Sequence, residues 1–186
     1  GRQMDILALS TWLRYLELHG AKLVFTGNAY QGGYVRDRAQ QVKPAHGEKY
    51  LRTADELMHG VPPLPDAARD DKEAAQAREA HLDALIANCK RLLGDDYAYI
   101  HNHALTEQLG DCRNDLAEFG VHFDEWFSEQ SLFDSGLVAR VVETLKRDNH
   151  LYQQDGAWWF RSTGFGDEKD RVVQRDNGLY TYFASD

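Results

Sequence analysis

The closing stretch, residues 157–186, constrains the fold most. Aromatic and β-branched runs (Trp158-Trp159-Phe160, Val172-Val173, Leu179 to Phe183) alternate there with turn signals, which is how short, well-buried strands read in a sequence. Asp176-Asn177-Gly178 separates the last two runs, and an Asn-Gly step between apolar segments predicts a hairpin because both residues tolerate positive φ. Leu151 to Gln153 adds a strand that Asp155-Gly156 turns back into Trp158 to Phe160. Upstream, Val121, Phe123 and the Trp126-Phe127 pair, with His122 and Asp124 on the opposite face, predict one more strand.

The rest reads as helix. Ile6, Leu9, Leu13 and Leu16 recur at spacings of three and four over Gln3 to His19, with Gly20 as the stop. Met4, Leu7 and Trp12 fall on other faces, so this helix is apolar nearly all round and is expected to be covered on more than one side. Tyr34 to Val42 and Ala54 to Met58 predict short helices, and Gly60 to Pro65 a rigid linker. An acidic start at Asp70-Asp71-Lys72-Glu73 leads into a stripe of Leu82, Leu85, Ile86, Cys89, Leu92 and Leu93. After Gly94-Asp95-Asp96, a helix from about Tyr97 to Phe119 aligns Leu105, Leu109, Cys112, Leu116 and Phe119, and the two stripes are expected to pack against each other as an αα-hairpin. Leu137, Val138, Val141, Val142 and Leu145 give a further helix with Asp134 or Ser135 as its N-cap.

Composition narrows the partners. The chain has 186 residues, 42% hydrophobic and 27% charged, which suits a soluble domain with a real core. No apolar run approaches the ~20 residues needed to cross a bilayer, so no membrane partner is expected and a cytoplasmic location fits best. A formal charge of −9 is the wrong sign for a surface that holds nucleic acid mainly by neutralising phosphates. Two cysteines, Cys89 and Cys112, are too few for a disulfide framework and read as buried free thiols on apolar helix faces. The chain opens at Gly1 without Met and stops directly after a strand-like run, so it reads as a piece of a longer protein.

Three passages carry a resemblance. Trp159 to Thr163, then Phe165-Gly166-Asp167-Glu168-Lys169-Asp170-Arg171-Val172 and Tyr180 to Asp186, resemble the middle of the catalytic domain of bacterial arginyl-tRNA synthetases; so do Gly1 to Leu7 and Phe119 to Glu129. The specificity comes from their joint order, which runs essentially end to end. The resemblance implies an α/β fold class: a mixed α+β piece of an incomplete Rossmann-like class I catalytic domain with a helical insertion. It divides the chain into a nucleotide-fold helix over 1–20, a mainly helical insertion over 21–119 and a return to the catalytic domain over 120–186. It also implies L-arginine, ATP, Mg and tRNA(Arg) as the full-length enzyme's substrates and partners, and a monomer. The family's His-Ile-Gly-His-type and Lys-Met-Ser-Lys-Ser-type ATP signatures do not occur in this sequence, so the chain alone is expected to be inactive.

The same resemblance nominates site residues. In the family a tyrosine and an aspartate four residues later hold the amino acid's guanidinium, a role that falls on Tyr182 and Asp186. The chemistry suits it, because a carboxylate takes a planar guanidinium through two parallel hydrogen bonds and a phenolic oxygen adds another acceptor. In a straight strand the two would sit roughly 13 Å apart at Cα, so the strand must end near Ala184 and a helix begin. The plainer alternative is a buried hairpin tyrosine and a capping aspartate. Gln3 falls where the family has a Gly-x-Gln segment near the amino-acid pocket; otherwise it is a solvated first-turn residue. Glu129-Gln130-Ser131 reads as a cap or loop brace rather than as catalytic, and Gly166 to Arg171 as a solvated hairpin tip. His101-Asn102-His103 lies mid-helix and lacks a metal-ligand spacing. The competing function is a non-catalytic interaction module using the Leu82 to Phe119 helices.

Overall fold

The computed structural model describes residues 1–24 and 28–186, which form two compact units, Gly1–His122 and Phe123–Asp186. The first is helical. The second combines two helices with a three-stranded sheet, so the chain as a whole mixes α and β structure.

The first unit is built around α1 (Arg2–Leu18), whose residues from Ile6 to Leu13 are buried without a break. Such an all-round apolar helix needs partners on several sides. It finds them in α2 (Gly33–His46), α4 (Lys72–Leu93) and α5 (Tyr97–Glu118), with the short α3 (Ala54–Met58) packed on α4. Ile6, Leu9, Leu13 and Leu16 share one cluster with Leu82, Leu85, Ile86, Cys89 and Leu93, while Leu7 meets Val35 and Ala104 on another side. The buried indole and hydroxyls of α1 are satisfied. Trp12 Nε1 donates to Tyr50 O at 2.8 Å, and the Ser10 and Thr11 hydroxyls donate back to Ile6 O and Leu7 O at 2.7 and 2.9 Å.

Local signals explain the helix ends. Asp71 caps α4 by accepting from Ala74 N–H at 2.8 Å, as its acidic start suggested. Thr53 and Glu56 form a reciprocal capping box on α3. A 3₁₀ turn, Gly94–Asp96, joins α4 to α5.

The expected hairpin of α4 on α5 is corrected in one respect: the α4 stripe faces α1 rather than the α5 stripe. An all-apolar helix offers more surface to bury than a neighbour with one stripe, so α1 takes the contact. On α5 only Ile100 and Ala104 are buried; Leu105, Cys112 and Leu116 are half-buried, and Leu109 and Phe119 are exposed. Cys112 is therefore not the buried thiol expected, whereas Cys89 is, and burial pushes the Cys89 thiol well above its ordinary range.

The second unit holds α6 (Gln130–Asp134), α7 (Leu137–Arg147) and strands β1 (Leu151–Gln154), β2 (Ala157–Phe160) and β3 (Arg171–Gln174), antiparallel in the order β1-β2-β3. Its core is small: Val138 and Val142 of α7 against Leu151 and Val173 of the sheet. Asp155-Gly156 makes the β1–β2 turn, both residues at positive φ.

Three expectations are corrected here. Residues 121–127 form no strand. Their backbone pairs with no described strand and their side chains are exposed, and an extended run without a ladder partner leaves its N–H and C=O groups to water. Neither Asp134 nor Ser135 caps α7, because Asp134 accepts from Gln130 Nε2 at 2.9 Å and the Ser135 hydroxyl donates to Leu132 O at 3.2 Å, both within the α6 turn. Gly136, left-handed at φ 68°, takes the cap position instead. Finally, Leu179 to Phe183 is not a full strand: one bridge pairs Gln174 with Tyr180, and the chain then turns into a 3₁₀ helix at Tyr182–Ala184. The Asp176-Asn177-Gly178 hairpin does form, as a three-residue loop. Gly178 N–H donates to Arg175 O at 3.0 Å and Arg175 N–H to Leu179 O at 2.8 Å, with Gly178 alone at positive φ, 81°.

Candidate functional site

The candidate pocket residues of the second unit sit on the turn that ends the chain. After the bridge at Tyr180, Thr181 is tied to β3: its N–H donates to Val173 O at 3.0 Å and its hydroxyl to Val172 O at 2.6 Å. The next residues coil, and Asp186 N–H reaches back to Tyr182 O at 3.2 Å. One helical turn therefore separates Tyr182 from Asp186, the spacing at which side chains share a face. Tyr182 is 81% exposed, which excludes the buried hairpin tyrosine. Ala184 packs against the small core, and Phe183, itself exposed, meets Phe160 with ring centroids 6.0 Å apart.

Of the two roles expected for Glu129, cap or loop brace, the structure shows the brace. Glu129 makes no capping hydrogen bond to α6. Its carboxylate instead accepts from the hydroxyl of Ser185, which lies between Tyr182 and Asp186 in sequence. Ser185 thus ties Glu129 to the turn that carries Tyr182 and Asp186. A residue 56 positions upstream gives no periodic signal of such a contact. The serine-containing acidic loop was the only hint.

The Gly166 to Arg171 loop is solvated as expected, and it is also a braced corner between β2 and β3. Arg171 grips Asp167 with two bonds of 2.7 and 2.8 Å, and Asp170 accepts from Thr163 N–H and hydroxyl and from the Tyr152 phenol at 3.0, 2.8 and 3.0 Å. The Arg171 fork holds the Asp167 carboxyl down at about 2, and the Thr163 N–H lowers Asp170 likewise. Gly166 is left-handed at φ 95°, where a side chain would be strained. The loop sets the corner rather than offering free groups to a ligand.

Gln3 lies in the other unit, exposed on the first turn of α1, where its Oε1 accepts from the Tyr30 hydroxyl at 2.9 Å. Its neighbour Asp5 is held by the Tyr97 hydroxyl at 2.5 Å and by Lys90 at 2.9 Å; burial pushes the Asp5 carboxyl up, but these two bonds outweigh it and leave it below its ordinary value. Among the described residues, no group of three or more His, Cys, Asp or Glu is placed to hold a metal ion, and no helix is long and apolar enough to cross a membrane.

No family model matches the chain. It is 67% identical over 186 residues to the arginine–tRNA ligase of Dechloromonas aromatica and 65% identical over 187 residues to that of an Azoarcus species; each alignment covers 100% of this chain and 32% of the relative. A solved Campylobacter jejuni structure described as an arginyl-tRNA synthetase has the same fold over 100% of this chain and 32% of its own, with a TM-score of 0.63 at 22% identity. The chain spans about a third of the length of the curated relatives it matches. Over its whole length, then, this chain matches one stretch of the bacterial arginine–tRNA ligases.

Proposed function

We propose that the chain is part of an arginine–tRNA ligase and supplies the guanidinium end of its arginine pocket. The full-length enzyme activates L-arginine with ATP to arginyl-adenylate and passes it to tRNA(Arg). The likeness to curated ligases along the whole chain supports the activity. The observation that carries the site is the turn from Tyr182 to Asp186, with an exposed phenol, a carboxylate one turn away and Glu129 held beside them by Ser185. A guanidinium presents five N–H donors in a plane, and this array presents acceptors. Lysine's ammonium cannot use the same fork.

In this reading the second unit and α1 belong to a Rossmann-like class I catalytic domain, residues 21–119 are its helical insertion, and the enzyme works in the cytoplasm as a monomer. Gln3 belongs to the pocket by resemblance. ATP is a substrate held by signatures that this sequence does not contain, so the isolated chain performs no ATP–pyrophosphate exchange. Mg accompanies ATP in the family, but the described residues gather no ligand set for it.

The test is Asp186→Asn in the full-length enzyme. It should raise the requirement for arginine by two orders of magnitude, about 3 kcal/mol for a charge-assisted fork, with the KM for ATP nearly unchanged. An arginine KM within twofold of wild type would remove Asp186 from the pocket. The second reading, a helical interaction module, draws on the half-open stripe of α5 and predicts that outcome.

A further inference from the structure

The Asn177-Gly178 step, which makes the last hairpin, also brings together the parts of a covalent reaction. Both residues are exposed in the loop that leaves β3. The Asn177 side chain is folded forward: its Oδ1 accepts from Leu179 N–H, two residues on, at 3.1 Å. Such a turn lays the amide along the peptide that joins Asn177 to Gly178. Asparagine is among the thermally labile side chains, and here its amide stands in water.

Two features favour attack of the Gly178 backbone nitrogen on the Asn177 side-chain carbon. Gly178 has no Cβ to crowd the approach. Negative charge that develops on Oδ1 also meets the Leu179 N–H already aimed at it, and a bond to a charged oxygen is roughly twice as strong as one to a neutral oxygen. One feature opposes: Gly178 N–H donates to Arg175 O at 3.0 Å, and the nitrogen must give up that bond to react. The gain at Oδ1 and the loss at Gly178 are each worth about twofold to tenfold in rate, so they nearly cancel.

We propose that Asn177 is a site of spontaneous deamidation through a cyclic succinimide. Solvent hydroxide takes the Gly178 N–H proton, and the nitrogen bonds to Asn177 Cγ. The bond from Cγ to Nδ2 then breaks, and that nitrogen leaves as ammonia with a proton from water, which regenerates the hydroxide. Water opens the ring at Cγ to give aspartate, or at the backbone carbonyl carbon to give isoaspartate, whose chain runs through Cβ and Cγ. In sum one water enters and one ammonia leaves, and nothing is oxidised or reduced. Either product adds a negative charge next to Asp176 in sequence. Isoaspartate also inserts a backbone atom ahead of Leu179, whose carbonyl accepts from Arg175 N–H at 2.8 Å, and ahead of the bridge at Tyr180.

The experiment incubates the full-length protein and a free peptide of residues 175–180 side by side in warm neutral buffer. Peptide mapping by mass spectrometry follows the exchange of the amide NH₂ for OH and separates the aspartyl from the isoaspartyl form. Asn177 should convert within about tenfold of the rate in the free peptide, with isoaspartate among the products. Asn177→Gln, which would have to close a larger ring, should not convert at this position over the same time. Asn149 is exposed as well, but His150 follows it, and it should stay intact. Conversion of Asn177 more than tenfold slower than in the peptide would overturn the proposal, as would equal conversion at Asn149. Aspartate without isoaspartate would overturn it too, because it would mean direct hydrolysis of the side chain rather than ring closure.

Discussion

The two units hold themselves together by different means. The first buries one large helix on several sides, and its cluster extends from Ile6 on α1 to Ile100 on α5. The second has four fully buried apolar residues in its cluster and spends many of its hydrogen bonds on turns and corners: Asp167 with Arg171, Asp170 with Thr163 and Tyr152, and Thr181 with β3. A core that small cannot dominate stability. The difference teaches where each unit is fragile, the first at side-chain volume and the second at backbone conformation and charge.

The largest effect that would test this contrast is in the first unit. Trp12→Ala removes a fully buried indole that also donates to Tyr50 O, and should cost about 3–5 kcal/mol in urea unfolding followed by helical ellipticity. A loss under about 1 kcal/mol would mean that α1 is not the organising helix. In the second unit, Val142→Ala at the centre of the small core should cost about 2 kcal/mol by the same measurement. Gly178→Ala forces a side chain into the left-handed region at φ 81° and should cost about 1–2 kcal/mol, a backbone effect comparable with the core change. The smallest effect is electrostatic. The Asp167 carboxyl lies near 2 in the folded chain against an ordinary 3.8, so its contribution is present above about pH 4 and is lost as pH falls toward 2. Asp167→Asn should flatten that part of the acid-unfolding profile, with a small loss of stability at neutral pH that disappears near pH 2; an unchanged profile would show that the Arg171 fork is not made in solution.

Elements with a strong period were legible in the sequence. The α1 stripe, the α4 stripe and the Leu151 to Phe160 hairpin declare themselves through spacing and turn residues, and all three form. What periodicity cannot state is which stripe meets which. The α4 and α5 stripes look complementary, yet the all-round apolar α1 competes for α4 and wins. Alternation also misleads at Val121 to Phe127, because a strand is defined by its neighbour and none is supplied there. At the candidate site, the interest of Tyr182 and Asp186 came from family resemblance, and the turn between them starts where Thr181 is tied to β3. Glu129 was legible as a loop brace, but its partner Ser185 is too distant in sequence for spacing to name.

Helix α1 carries Gln3 at its first turn, supplies Ser10 to rivet the Tyr30 loop and fills the centre of the helical unit. Exchanging the loop and helices of residues 28–118 for those of a distant relative would therefore be an unforgiving graft. The donor's segment would have to arrive with its own first helix, or the loop would lose the Ser10 hydroxyl that fastens it.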